Sequence, residues 1–209
     1  MSNLFNNELA KLYMKNASGE PKYVEEEEEQ EKKTAITEMD LSLMKIPQKH
    51  YPAIAGKEEL VETDFIKAVD TWDFKQHWCL FLGGSVGTGK SFAAARWLAD
   101  KKQNKHCWVL FGELKDIKFN MYQLFLELCA RRYLVIDEIG VHYDTNPDIS
   151  HAVFNLVIEK RYGNNLPTIL TTNMKGGEMK QRFDTRLRDR LKEGTYFFSK
   201  SEKSLRKRG

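Results

Sequence analysis

The chain reads Cys79-Leu-Phe-Leu-Gly-Gly-Ser-Val-Gly-Thr-Gly-Lys-Ser91 where an apolar run stops at a glycine-rich loop. From Gly84 to Ser91 the spacing matches the pattern G-x-x-x-x-G-K-S/T, and the segment Phe92–Ala99 that follows has the composition of a helix. A strand, this loop and a helix in that order predict a phosphate-binding P-loop, because its glycines let backbone N–H groups turn toward anionic oxygens. A plain tight turn is the alternative, and both flanking segments favour the P-loop.

The P-loop predicts how the chain binds ATP and Mg²⁺. We expect the backbone N–H groups from Gly87 to Ser91 to point at phosphate oxygens, Lys90 to reach the β- and γ-phosphates, and the Ser91 hydroxyl to bind Mg²⁺. The predicted ATP-binding residues are Gly84, Ser85, Val86, Gly87, Thr88, Gly89, Lys90 and Ser91.

A second apolar run, Tyr133-Leu-Val-Ile-Asp137-Glu138, ends in two acids downstream of the P-loop. In a chain with a P-loop, this pattern predicts that Asp137 holds Mg²⁺ through water. Glu138 is predicted to polarise the water that attacks the γ-phosphate, which favours hydrolysis over binding alone. The alternative is a strand that is merely capped by acids.

Two further groups are predicted to lie near the phosphates. Asn173 follows an apolar run that ends in Thr171 and Thr172, and the carboxyl ends of parallel strands share one edge of the sheet, so its amide is predicted to contact the γ-phosphate or the water. Otherwise it is only a turn residue. Arg186 and Arg190 lie four residues apart, on one face of a predicted helix, where they are candidates for an arginine finger that acts on a neighbouring subunit. Surface salt bridging, for instance through Asp184 or Asp189, is the alternative.

The length and composition favour one α/β domain with a short appendage, because the chain has 209 residues. The 33 basic and 30 acidic residues nearly balance, which predicts no strong overall attraction to polyanions. Three scattered cysteines predict core thiols in a reducing compartment. No apolar stretch approaches the roughly 20 residues of a membrane span, so we expect a cytoplasmic protein without a membrane partner.

The segment 1–43 differs in composition from 44–209. It combines a short amphipathic stretch near Leu9 and Leu12 with the acidic run Glu25–Glu29, which predicts a mainly helical or disordered segment that docks on a partner or folds back on the main domain. From about Ile46 the patterns alternate between strand and helix, which predicts a parallel sheet covered by helices on both faces. The predicted strands are 80–82, 106–112, 133–137 and 167–172, and the predicted helices are 117–129 and 149–162.

These motifs and their order resemble the AAA+ ATPase domain of bacterial and phage helicase loaders of the DnaC type, within the broader DnaC/IstB-like family. The resemblance rests on the P-loop, Leu134-Val-Ile-Asp-Glu-Ile-Gly-Val141, Thr171-Thr-Asn173, Arg186-Leu-Arg-Asp-Arg190 and Ser204-Leu-Arg206, and it covers about residues 44 to 207. It implies an AAA+/RecA-like P-loop NTPase fold. It further implies that Asn173 is sensor 1, that Arg190 is the finger with Arg186 beside it, and that Arg206 is the sensor 2 arginine, an ATP-binding residue.

The resemblance also implies partners. Subunits would assemble side by side through the ATP site, hold single-stranded DNA, and dock on a hexameric replicative helicase of the DnaB type through the N-terminal segment. Lys115, Lys118 and Tyr122 are the candidates for single-strand contacts, or else ordinary helix surface. Only about 20 residues separate Glu113 from Tyr133. This segment is too short for two helices and the loops that connect them.

Two alternative functions remain open from the sequence. An IstB-like transposition ATPase shares the motifs and differs in its partner. In a helicase-binding module switched by ATP, the nucleotide would only change the conformation.

Overall fold

The computed structural model of the chain describes residues 36–101, 107–116, 122–140, 147–200 and 204–205. The chain divides into two units, residues 1–35 and 36–209, and all the described residues belong to the second. The predicted amphipathic stretch and the acidic run therefore lie outside the described residues. Within them, no helix has both the length and the apolar character that crossing a membrane requires.

A parallel five-stranded sheet forms the centre of the domain, in the order β2-β3-β4-β1-β5. Every adjacent pair in it is parallel, as predicted. Helices cover both faces, and strands that are buried on two sides form continuous apolar runs. The strands are β1 (Cys79–Gly84), β2 (Trp108–Leu110), β3 (Leu134–Ile139), β4 (Thr168–Thr172) and β5 (Thr195–Lys200).

The helices connect and cover these strands. The described ones are α1 (Glu38–Leu43), α2 (Tyr51–Ile54), α3 (Asp64–Asp70), α4 (Lys90–Asp100), α5 (Tyr122–Ala130), α6 (Pro147–Gly163), α7 (Gly176–Arg182) and α8 (Thr185–Lys192), with 3-10 turns at Gln48–His50 and Phe111–Glu113.

Alternating strand residues divide the apolar core into one cluster on each face of the sheet. Leu80 and Val135 pack with Leu98 of α4 in the first cluster. Their chain neighbours point the other way, because successive side chains of a strand alternate between its faces. Phe81 and Leu134 therefore pack in the second cluster with helix residues that include Phe154 of α6.

Several elements differ from the sequence predictions, and the helices α2, α3 and α7 were not predicted. The strand predicted for 106–112 is described over Trp108–Leu110, and residue 106 lies outside the described residues. Phe111–Glu113 forms a 3-10 helix, and its Glu113 carboxylate accepts the Leu110 N–H at 3.0 Å. The helix predicted for 117–129 is described over Tyr122–Ala130, and 117–121 lie outside the described residues. The strand β5 was not predicted, although Thr195-Tyr-Phe-Phe198 has the aromatic composition of a strand.

The segment before residue 44 already contributes to the core. Thr37 and Asp40 form a capping box that starts α1, and Leu41 of α1 is fully buried. The Met44 carbonyl then accepts the N–H groups of Cys107 and Trp108, which ties this segment to β2. The boundary at residue 43 stays a prediction.

The three cysteines, Cys79, Cys107 and Cys129, are free and buried, as predicted for core thiols. Burial raises the pKa of the Cys79 thiol to about 12 and that of Cys129 to about 11. A raised pKa lowers the thiolate fraction, so both residues are poor nucleophiles and metal ligands in the folded chain.

Candidate nucleotide-binding site

The P-loop connects β1 to α4 at the carboxyl edge of the sheet. Gly89 precedes the helix as its N-cap at φ +98°, a left-handed conformation that glycine adopts without strain. Gly84 lies so close to β5 that a Cβ atom there would stand 2.2 Å from the Lys200 carbonyl oxygen. Both glycines stand at positions where a side chain would be strained or would clash. The loop leads into the N-terminus of an 11-residue helix.

Lys90 is the first residue of α4, and its side chain turns back onto the loop. The Nζ atom donates to the carbonyl oxygens of Gly84 at 2.9 Å and Ser85 at 2.6 Å. Thr88 Oγ1 donates to the same Ser85 oxygen at 2.9 Å. Lys90 is only 6% exposed, so a buried cation lies within the loop that is predicted to hold phosphate.

Ser91 and Asp137 meet at the base of this loop. The Ser91 hydroxyl donates to Asp137 Oδ1 at 2.9 Å, and Thr171 Oγ1 donates to the same oxygen. Burial raises the pKa of the Asp137 carboxyl, and the hydrogen bonds from Thr171 and Ser91 act in the opposite direction. The structure thus brings together the two residues that were predicted to hold Mg²⁺.

This oxygen donor set fits Mg²⁺, which prefers a few protein oxygens together with water and substrate phosphates. In the described part of the chain, no cluster of three or more His, Cys, Asp or Glu side chains forms a separate metal site. Ser91 and Asp137 would hold the ion beside the P-loop.

Glu138 directly follows Asp137 and has the left-handed value φ +59°, which is unusual for a residue with a side chain. Its N–H donates to Thr171 Oγ1 at 3.1 Å. The side chain is half-buried at the same edge of the sheet as the P-loop. This backbone conformation was not evident from the sequence.

Asn173 follows β4 and is exposed. Because β4 pairs with β1 on one side and β3 on the other, the segment after β4 begins between the P-loop strand and the Asp137 strand. This is the edge at which ligands bind in parallel sheets. The sensor role of Asn173 stays a prediction.

Two arginines of α8, Arg186 and Arg190, form ion pairs within the chain. Leu187 and Leu191 bury one side of α8. The Nη2 atoms of Arg186 and Arg190 each donate to Glu159 Oε1 at 2.8 Å. The partner is therefore Glu159 of α6; Asp184 instead caps α8, and Asp189 pairs with Lys192.

The remaining candidates lie partly outside the described residues. Arg206 and Lys118 are outside them, and Tyr122 begins α5. Lys115 is described and partly exposed. The Leu205 N–H donates to the Gly87 carbonyl at 2.8 Å, so the residue before Arg206 lies on the P-loop.

Two residues at or near the predicted site were missed by sequence reasoning. Thr171 touches both acids of β3, and Glu159 pairs with Arg186 and Arg190 of α8. A polar residue in an otherwise apolar strand was the available signal for Thr171. Glu159 stands in a helix among other charged residues, where no local pattern marks it.

No protein-family profile and no curated protein matches the sequence. Solved structures do match the fold. The crystal structure of the DnaC helicase loader matches 73% of this chain and 99% of its own, with a TM-score of 0.55 and 17% identity. The crystal structure of DnaI matches 80% of this chain and 99% of its own, with a TM-score of 0.59 and 20% identity.

A replication initiator has the same architecture. The structure of DnaA bound to AMPPCP and single-stranded DNA matches 74% of this chain and 50% of its own, with a TM-score of 0.54 and 14% identity. At these identities the likeness concerns the fold, and it confirms the resemblance to DnaC-type loaders at that level. The chain thus has the AAA+ P-loop fold that the DnaC helicase loader and DnaI share.

Proposed function

We propose that this chain is an ATP-dependent loader of a replicative DNA helicase, with ATP as its substrate and Mg²⁺ as its cofactor. The observation that supports the ATPase part is the junction of Ser91, Asp137 and the P-loop, with Glu138 as the next residue. The fold of the DnaC helicase loader and DnaI supports the loader part.

Several residues of the chain have separate roles at the phosphates. Lys90 exchanges its bonds with the Gly84 and Ser85 carbonyls for phosphate oxygens, since its ammonium already lies in the loop. Ser91 and Asp137 would hold Mg²⁺, which would supply positive charge to the phosphate oxygens. Glu138 accepts a hydrogen bond from the attacking water, and Asn173 holds the water or the γ-phosphate from the next strand.

Assembly completes this site. Arg190, with Arg186 beside it, stabilises the charge on the nucleotide of a neighbouring subunit, and Arg206 approaches the nucleotide of its own subunit. A planar, permanently charged guanidinium suits this role. Hydrolysis then depends on side-by-side assembly of subunits, as it does where an arginine finger is supplied in trans.

The assembled subunits act on a hexameric helicase of the DnaB type and place it on single-stranded DNA. Residues 1–43 form the docking segment, and Lys115, Lys118 and Tyr122 are the residues proposed to contact the strand. The DnaA structure bound to single-stranded DNA has the same architecture, which supports the DNA contact.

The test is ATP hydrolysis by the purified chain, alone and with the replicative helicase of the same replication system, together with co-elution of the two on a sizing column. We expect co-elution with an altered ATPase rate. Arg190→Ala should lose the assembly-dependent hydrolysis. Arg188→Ala is the matched control, because Arg188 lies on the same helix and bonds within it to Thr185 and the Asp184 carbonyl.

Glu138→Gln separates hydrolysis from binding. It should retain ATP binding and lose most hydrolysis, because the amide is a poor acceptor for the water's proton. If the Glu138→Gln variant still acts on the helicase as the wild type does, an ATP-switched binding module would be favoured. Absence of co-elution under every nucleotide condition would contradict the loader and favour a transposition ATPase.

A further inference from the structure

A β-bulge interrupts β3 at the two acids. Ile136 pairs with Leu170, and the next paired residues are Ile139 and Thr172. Two residues of β3, Asp137 and Glu138, therefore stand opposite one residue of β4, Thr171. Bulges of this kind redirect side chains and recur beside active sites.

The Thr171 hydroxyl contacts both bulged residues. It donates its one proton to Asp137 Oδ1 and accepts the N–H of Glu138 at 3.1 Å. Because the proton is directed to the carboxylate, a lone pair remains for the amide. Thr171 is 1% exposed, so water does not compete for either bond.

The bulge holds Glu138 in an unfavourable conformation. The left-handed backbone at φ +59° is unfavourable for a residue with a side chain. Such strain persists where contacts with the surrounding structure hold the backbone in place. The residues after Glu138 are also held, because Thr172 Oγ1 donates to the Ile139 carbonyl at 2.8 Å and Arg182 Nη1 to the Gly140 carbonyl at 2.7 Å.

We propose that Thr171 is a positioning residue for ATP hydrolysis, which acts by fixing the direction of the Asp137 carboxylate and of the Glu138 backbone together. This inference rests on the proposed ATPase function. It assigns the hydroxyl, rather than the size of the side chain, as the group that matters. Valine has the same shape without the hydroxyl, and serine keeps the hydroxyl without the methyl group.

The experiment compares Thr171→Val and Thr171→Ser in the full chain. Thr171→Val should lower kcat about 10- to 100-fold, because a small displacement of a catalytic group has effects of this size. KM for ATP should change far less than kcat, since the P-loop contacts remain. Thr171→Ser should recover most of the rate.

Thr168→Val is the matched control in the same strand. Thr168 is fully buried, and its hydroxyl accepts from Arg161 Nε at 2.7 Å and donates to the Leu166 carbonyl at 2.8 Å, at the other end of β4. Its loss should lower the melting temperature and leave kcat unchanged. Damage to folding is thereby separated from damage to hydrolysis.

Nucleotide binding gives a readout that does not depend on turnover. The affinity for ATP should be measured with Mg²⁺ and with EDTA. In Thr171→Val the gain in affinity caused by Mg²⁺ should shrink, because the Asp137 carboxylate loses a hydrogen bond that orients it. The affinity in EDTA should stay near that of the wild type.

The outcomes separate this proposal from the proposed function. Hydrolysis by the wild-type chain tests the ATPase, and the ratio of variant to wild type tests Thr171. A wild-type kcat and a wild-type Mg²⁺ effect in Thr171→Val would overturn only the positioning role. Equal losses in Thr171→Ser and Thr171→Val, or in Thr168→Val, would overturn it as well.

Discussion

Glu138 shows at the residue scale how strain and chemistry coincide. Its left-handed backbone suits glycine better than glutamate, yet the proposed hydrolysis needs the carboxylate there. Natural proteins keep such strain at functional sites and lose some stability by it. Stability and activity should therefore respond in opposite directions to substitution at this position.

We expect Glu138→Gly to raise the free energy of unfolding by about 1 kcal/mol, because glycine relieves the left-handed strain. The same change should abolish ATP hydrolysis. Glu138→Gln is the control, since it keeps the strain and should leave the free energy of unfolding near that of the wild type. Chemical denaturation measures the free energy of unfolding of both variants. A Glu138→Gly variant that is less stable than the wild type would contradict the strain argument.

His50 is a buried neutral group whose titration affects stability. It is 9% exposed and packs beside Phe92, with ring centroids 5.7 Å apart, and Trp108, at 6.4 Å. Burial, and to a lesser degree the charge of Lys49, lowers its pKa from 6.5 to about 4. Within the described residues, its Nε2 atom has no hydrogen-bond partner.

This lowered pKa predicts acid sensitivity. The unfolded state binds the proton first, so the stability that neutral His50 contributes is present above pH 6.5 and is lost as the pH falls toward 4. The loss should approach about 3 kcal/mol across that window. Denaturation at pH 7.5 and 4.5 should show a smaller loss in His50→Phe than in the wild type. Lys49→Ala should keep most of the loss, and an equal loss in His50→Phe would exclude His50 as its source.

At the element scale, Arg161 joins α5, α6 and β4. Arg161 is fully buried, and its guanidinium donates to the carbonyls of Leu128, Arg131 and Pro167 at 2.9, 2.6 and 2.8 Å. A helix leaves its last carbonyls without partners, and a cation near that end is favourable. Arg161 therefore satisfies the end of α5 and fixes the entry of β4.

Replacement of Arg161 should destabilise the whole domain. We expect Arg161→Met to lower the free energy of unfolding by about 3 kcal/mol or more, because several buried carbonyls would lose their donor. Lys160→Met, at the exposed neighbouring position, should have little effect. Urea denaturation of both variants measures the difference. Equal stability of the two variants would show that water or other donors replace the guanidinium.

At the scale of the whole molecule, the proposed assembly places the finger and the hydrolytic site on different subunits. Within one chain, Arg190 pairs with Glu159, and the pair is partly exposed: solvent reaches 17% of the Arg190 side chain and 38% of the Glu159 side chain. Solvent reaches both side chains and weakens their attraction, so Arg190 can exchange Glu159 for a neighbour's phosphate. Hydrolysis should then depend on which subunits are mixed.

Mixing two inactive variants tests this arrangement. Arg190→Ala keeps its own hydrolytic site, and Glu138→Gln keeps its finger, so their mixture should regain ATPase activity that neither has alone. A mixture of Glu138→Gln with Lys90→Ala is the control, because neither of its subunits has a competent site. Failure of the first mixture to exceed the second would refute a finger supplied in trans.

The outline of the domain followed from local patterns. The apolar runs that became β1, β3 and β4 and the periodicity that became α6 are properties of short segments, and the spacing from Gly84 to Ser91 specifies its own loop. Because parallel strands share a carboxyl edge, the sequence also placed Asp137 beside the P-loop, where the Ser91 hydroxyl donates to it.

No local pattern predicted the bulge in β3, the two contacts of Thr171 or the pairing of Glu159 with Arg190. Each joins residues that are about thirty positions apart in the chain, and each depends on how strands and helices align after they pack. Strand register and helix packing are settled by the whole core rather than by any one segment. The amino-acid sequence thus identified the groups that are proposed to bind the phosphates, and tertiary packing decided how the acids beside them are held.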